Sequence, residues 1–203
     1  DEGRSFFSKP GGGEGGANKI GEKVVDERVT VFSDPQDPDL LGTPYTGEGY
    51  PVARTVWIEN GVVKNLAYDR FWAEKKGVAP VPFGGGLKML GGTATLDDLI
   101  AGVRRGVLVT RFWYIRGVDP RSILNTGLTR DGLFLIENGA VTRAVRNFRF
   151  NESPVIMLNN LEALGRPERV SASESGGVEG GGAVVVPPLV AREFTFSSIS
   201  EAV

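Results

Sequence analysis

A chain of 203 residues with 40% apolar side chains can bury a real core, and its formal net charge of −2, with acids and bases interspersed, offers no basic face to nucleic acid or an anionic membrane. No apolar run approaches the roughly 18 residues that a membrane span needs, so neither membrane nor nucleic acid is an expected partner. The chain contains no Cys and no His, which excludes disulfides, thiolate chemistry, His-dependent triads and His-ligated zinc within these residues.

The first residue is Asp1 rather than Met and no signal peptide is visible, so the chain reads as a piece of something longer. Residues 1–21 lie in a polar, Gly-rich lead-in, DEGRSFFSKPGGGEGGANKIGEK, that reads as a mobile loop. Its GGGEGG fits G-x-G-x-x-G formally, but no strand precedes it and no helix pattern follows closely, so no dinucleotide role is expected. VVDERVTVFSD (Val24 to Asp34) has a strand pattern. TVWIENGVVKNLAYD (Thr55 to Asp69) sets Asn60-Gly61 between apolar runs, the signature of a two-residue hairpin turn with two positive φ angles.

A helix should follow in YDRFWAEKKG, capped by Asp69 and closed at Gly77. GGGLKM (Gly84 to Met89) lacks Walker spacing and reads as a flexible connector. TLDDLIAGVRRG predicts a second helix, with Thr95 as N-cap, Asp97 and Asp98 in the positive first turn, and Leu96, Leu99, Ile100 and Val103 on one face. VLVTRFWYIRG (Val107 to Gly117) reads as a strand, and LFLIENGAVTRAVRN (Leu133 to Asn147) as a second hairpin turning at Asn138-Gly139. SPVIMLNNLEALG suggests a third helix, with Ser153 as cap, Pro154 at N1 and Gly165 past the end, and AVVVPPLVAREFTFSS a closing strand run that Pro187 and Pro188 must break. Many antiparallel strands with a few peripheral helices make the expected class α+β, strand-rich.

The chemistry-bearing stretch is TRFWYIR, where Arg111, Trp113 or Tyr114 can stack on a ligand or hydrogen-bond to it. Strand alternation accounts for the same residues, with Phe112, Tyr114 and Arg116 on one face and Arg111, Trp113 and Ile115 on the other, one aromatic row being core. Arg143, Arg146 and Arg149 read as solvated charges. Asp119, Asp131 and Glu137 lie near turns, where capping competes with acid–base work, and nothing identifies a catalytic pair.

In order, IGEKVVDERVTV, GYPVARTVWIENGVVKNLAYDRFWAEKKG, TRFWYIRGVDPRSILNTGLTRDGLFLIENGAVTRAVRNFRFNES and PPLVAREFTFSS resemble the C-terminal domain of the TldD/PmbA family, across nearly the whole chain. TGLTRDG followed by FLIENG and NFRFNES carries the resemblance most specifically. It implies a single domain of residues 1–203 from a cytoplasmic protein of a family once called modulators of DNA gyrase. It further implies a paired peptidase in which a TldD subunit carries zinc and a PmbA (TldE) subunit does not.

In the zinc subunit a His-Glu-x-x-x-His motif precedes the region where this chain begins, and a Cys stands near the C-terminus. This chain has neither; the Cys position falls at about Ser173, or Ser175 with a small gap, and a serine hydroxyl is a poor zinc ligand. The resemblance therefore implies no cofactor in this chain, zinc only if an upstream motif exists, and the inactive-partner branch. The expected partners are extended or unfolded peptide and a family subunit, in a homo- or heterodimer. A free-standing β-rich module binding a small ligand through Arg111, Trp113 and Tyr114 is the alternative. A complete metallopeptidase domain fails on ligand chemistry.

Overall fold

A computed structural model of the chain describes residues 4–9, 17–40, 42–170 and 183–200. The first elements in order are β1 (Val31–Ser33), β2 (Thr55–Glu59), β3 (Val62–Val63), α1 (Arg70–Lys76), β4 (Leu87–Met89) and α2 (Leu96–Ala101). Next come β5 (Arg105–Val109), β6 (Phe112–Asp119), β7 (Leu124–Thr129), β8 (Leu133–Glu137), β9 (Ala140–Ala144) and β10 (Phe148–Glu152). The remainder is α3 (Pro154–Asn159), β11 (Leu161–Leu164), β12 (Glu168–Val170), β13 (Val184–Val186), β14 (Leu189–Ala191) and β15 (Phe196–Ile199). Among the described residues, short antiparallel strands with three small helices make an α+β fold rich in strands, as the pattern predicts. Contacts divide it into two compact units, one drawn from residues 1–91 and 167–187, the other from 92–166 and 188–203.

The first unit holds a six-stranded sheet ordered β12-β13-β4-β1-β2-β3, antiparallel except between β13 and β4. Its core includes Val25, Val29, Phe32, Leu40, Val63 and Met89. The strand expected over Val24 to Asp34 shrinks to β1, because Asp26 closes a turn ahead of it: its carboxylate accepts from the Arg28 amide at 2.8 Å, and the Val29 amide donates to the Asp26 carbonyl at 3.0 Å. GGGLKM is no flexible connector. Gly84, Gly85 and Gly86 are buried, a Cβ on Gly84 would meet Val52 at 2.2 Å, and the run feeds β4, whose Lys88 lies between Asp37 and Asp39 at 3.0 and 2.9 Å. Helix α1 starts and stops as its sequence dictates, with Asp69 accepting from the Trp72 amide and Gly77 in the left-handed conformation at φ 64°.

The second unit contains a four-stranded sheet β15-β10-β7-β6, a three-stranded sheet β5-β8-β9 and the pair β11-β14. Phe112, Phe150 and Phe194 pack with ring centroids 5.0 to 5.6 Å apart, and Gly127 leaves room for the Phe150 ring, which a Cβ would meet at 2.6 Å. Thr95 caps α2 in a full capping box with Asp98. Helix α3 begins at Pro154 under the Ser153 cap but ends at Asn159, short of the end expected just before Gly165. The Asn159 amide bonds back to the Val155 carbonyl, Asn160 caps the end, and LEAL becomes β11 beside β14.

Candidate functional site

The strand expected over Val107 to Gly117 is two strands. β5 pairs with β8 in unbroken register from Arg105↔Glu137 to Val109↔Leu133, and β6 pairs with β7 from Phe112↔Thr129 onward. Thr110 and Arg111 bridge them without leaving the ladder: the Thr110 amide donates to the Gly132 carbonyl at 3.3 Å and the Arg130 amide to the Arg111 carbonyl at 3.0 Å. Residues 105–119 and 124–137 thus form one antiparallel ribbon that leaves one sheet and enters another at a bend. Positive φ at Asp131 (61°) and Gly132 (141°) makes that bend possible.

Side chains converge there. Arg111 pairs with Asp131, and its guanidinium lies over the Trp113 ring, 4.5 Å from the centroid. Arg130 approaches the same ring at 5.0 Å, with its Nε 3.7 Å from the Asp131 carboxylate. The Arg111 and Asp131 side chains are 31% and 48% exposed, so the pair is open to water, while the Arg111 Nε itself is buried and makes no hydrogen bond.

Beyond Trp113 the strand bulges twice. Between Trp113↔Leu128 and Arg116↔Thr126 it carries one extra residue, with Tyr114 at φ 52°, and Val118 is extra between Gly117↔Asn125 and Asp119↔Leu124. Strict alternation therefore fails: Phe112 joins the aromatic core, whereas Tyr114, Ile115 and Val118 are 53%, 48% and 56% exposed. Arg116 stacks on Tyr114 at 4.1 Å and donates to the Ile115 carbonyl. Among the described residues no strand pairs with the outer side of β5 or β6.

Arg111 and Trp113 are thus brought together, and Tyr114 follows on an exposed bulge. Sequence reasoning missed Arg130 and took Asp131 for a turn residue. The available signal was TRDG immediately before the second hairpin, but only the ribbon register sets it against TRFW.

The carboxylates singled out earlier have local work. Asp119 accepts from the Ser122 hydroxyl at 2.6 Å and from the Arg121 and Ser122 amides; the hydroxyl contact, then the Arg121 amide, hold its carboxyl below the usual range. Glu137 accepts from Thr142. Glu152, which is buried, accepts from the Ser153 and Thr195 amides at 2.8 and 2.9 Å, tying β10 to the closing segment. Arg143, Arg146 and Arg149 are exposed. The donor set does not fit the family's zinc: the chain has no His or Cys, and among the described residues no three acidic side chains group as ligands. Ser173 and Ser175, and the Gly-rich runs 11–16 and 176–182, lie outside the described residues.

Its short antiparallel strands and small helices place the chain in the strand-rich α+β class. The chain belongs to the TldD/PmbA family: the family model described as PmbA/TldA metallopeptidase C-terminal domain matches residues 1–198, through both compact units. A metalloprotease of Methanothermobacter thermautotrophicus is 28% identical over 171 residues, 75% of this chain and 36% of that protein. A metalloprotease TldD homolog of Buchnera aphidicola is 25% identical over 164 residues, 73% of this chain and 33% of that protein. The chain spans about a third of the length of these relatives. A crystal structure of a candidate modulator of DNA gyrase from Bacteroides thetaiotaomicron superposes with a TM-score of 0.74 at 27% identity, over 97% of this chain and 40% of that one. The TldE structure from Thermococcus kodakarensis, 24% identical with a TM-score of 0.67 over 89% of this chain and 41% of that one, shares the fold. Among the described residues no helix is long and apolar enough to cross a membrane.

Proposed function

We propose that this chain is the peptide-holding C-terminal domain of a cytoplasmic TldD/PmbA-type protein acting in the proteolysis of unfolded peptides. It supplies cavity wall and subunit interface to a homo- or heterodimer and cuts nothing itself. The observation that carries this reading is the open edge of the ribbon from Arg105 to Asp119. Along β5 the register is unbroken, so its outer amides and carbonyls can pair with an extended backbone whatever the side chains. Beyond Trp113 the bulges of β6 interrupt such pairing, and Arg111 and Trp113 just before them and Tyr114 on the first bulge offer side-chain contacts instead. The metalloprotease names of the relatives support the proteolytic setting, and the lack of His and Cys supports placing the cut on other residues than these.

The test is a titration of unstructured peptides on the full-length protein with its partner subunit. Binding should tolerate most sequences and weaken for Pro-rich peptides, since each proline removes a ladder donor. Tyr114→Ala should weaken it several-fold, of the order expected for one exposed aromatic contact, with the melting temperature retained. A strictly monomeric protein that binds DNA and ignores unfolded peptides would overturn the reading. Stoichiometric zinc on this chain, lost on mutating a carboxylate, would overturn its non-catalytic part.

A further inference from the structure

At the bend of the ribbon one carboxylate serves two guanidiniums. Arg111 and Arg130 both contact the Asp131 carboxylate, Arg130 through its Nε at 3.7 Å. Arg111 and Arg130 both lie over Trp113, at 4.5 and 5.0 Å, an arrangement that holds guanidinium planes in place while their edge N–H donors stay directed at anions. Yet Asp131 engages Arg111 through one terminal nitrogen only, and the Arg111 Nε–H is buried without an acceptor. Buried donors are ordinarily bonded, and a guanidinium fork is shaped to give two parallel bonds to one carboxylate.

Asp131 is also a loosely held occupant. It stands in a left-handed turn conformation at φ 61° beside Gly132 and is 48% exposed, so swinging it out gives up two water-exposed contacts, with Arg111 and Arg130. The bend lies on the same open edge, between the regular half that can pair with a backbone and the exposed Tyr114.

We propose that Arg111, Arg130 and Trp113 form a carboxylate-binding subsite in which Asp131 is a placeholder, displaced when a peptide delivers its own carboxylate. The inference rests on the peptide-holding reading and adds a substrate class to it: peptides with a free C-terminal carboxylate or an acidic side chain at the position that reaches the bend. A plain structural role, in which Arg111–Asp131 only staples the bend, makes the opposite forecast for Asp131.

The experiment uses the full-length protein and three versions of one unstructured peptide: neutral and amidated, the same with a free C-terminus, and the amidated form with one internal Glu. Binding is measured calorimetrically at low and high salt, with melting curves for every variant. One of the two carboxylate peptides should bind about tenfold tighter than the neutral one, the size expected of one charge-assisted contact, and which of them does so identifies the source. That advantage should shrink with salt and vanish in Arg111→Lys and Arg130→Gln. Asp131→Asn, which keeps a residue tolerant of positive φ, should raise the ratio of carboxylate to neutral affinity. Equal affinities for all three peptides, or an Asp131→Asn variant whose ratio falls or stays put, would overturn the subsite and leave the peptide reading standing. Failure of every peptide to bind would overturn the peptide reading and the subsite with it.

Discussion

The tetrapeptide Ile-Glu-Asn-Gly builds two turns with nearly the same backbone, φ 50° and 77° at Asn60 and Gly61, φ 50° and 80° at Asn138 and Gly139. Their seats differ. The first turn rests on the loop around Asp26, where the Gly61 amide donates to the Val29 carbonyl at 2.9 Å and the Gly61 carbonyl accepts from the Val24 amide at 2.9 Å. The second rests on the end of α2 and the segment after it, where the Asn138 and Gly139 amides donate to the Arg104 and Val103 carbonyls at 2.7 and 2.9 Å. Local chemistry dictates the turn, and tertiary packing dictates what it leans on. In both, glycine is required twice, once for its φ and once for clearance.

The largest effect should separate these two requirements. A Cβ on Gly61 would lie 2.3 Å from the Val25 carbonyl oxygen, and one on Gly139 2.8 Å from that of Ala101. Valine at either site adds a β-branched residue at positive φ to a backbone clash, so both variants should lose at least ~3–4 kcal/mol, with Gly61→Val failing to fold first. Gly61→Ala should cost more than Gly139→Ala in denaturant midpoint. Equal costs would mean that φ alone matters and the seats do not.

A smaller effect should reach one turn and spare the other. Thr95 accepts from the Asp98 amide at 3.1 Å and so holds the first turn of α2, whose last residue, Ala101, backs Gly139. Thr95→Ala should cost about 1 kcal/mol and speed amide exchange at Asn138 and Gly139 while leaving Asn60 and Gly61 unchanged. Equal loosening of both turns would refute the separate seats.

The same division decides how much could be read in advance. Turns, caps and helix starts were legible because each is a local steric or hydrogen-bonding choice: Asn60-Gly61, Asp69 with Gly77, Thr95 with Asp98, Pro154 at the head of α3. The family was legible from the ordered run of motifs that the model match over residues 1–198 reproduces. What escaped was non-local. The bend at Thr110–Arg111 depends on positive φ across the ribbon at Asp131 and Gly132, and the two bulges appear only once β6 is set against β7. For the site this meant that Arg111 and Trp113 were named without Arg130, which lies across the ribbon from Arg111 and meets it through strand pairing alone. The buried Gly84–Gly86 run misled for the mirror reason, since glycines that leave room for Val52 and Leu40 look like a flexible linker on paper.

The smallest effect is a dependence on pH that should distinguish the turns once more. Asp26, in the seat of the first turn, bonds the Arg28 side chain and then the Arg28 amide, and these contacts hold its carboxyl down at about 2 against the ordinary 3.8. Because the folded value lies below the unfolded one, the contribution is fully present above pH 3.8 and is lost as pH falls toward about 2. Arg28 is 42% exposed, so screening keeps the pair within the roughly 0.2–1 kcal/mol typical of open ion pairs. The second turn sits on the Arg104 and Val103 carbonyls, which do not titrate. Followed by NMR across that acid window, the Gly61 amide should shift together with Val29 while Gly139 holds still. Asp26→Asn should flatten the first response without touching the second. Matching acid shifts at both glycines, or a Gly61 response that survives Asp26→Asn, would show that Asp26 is not what seats the first turn.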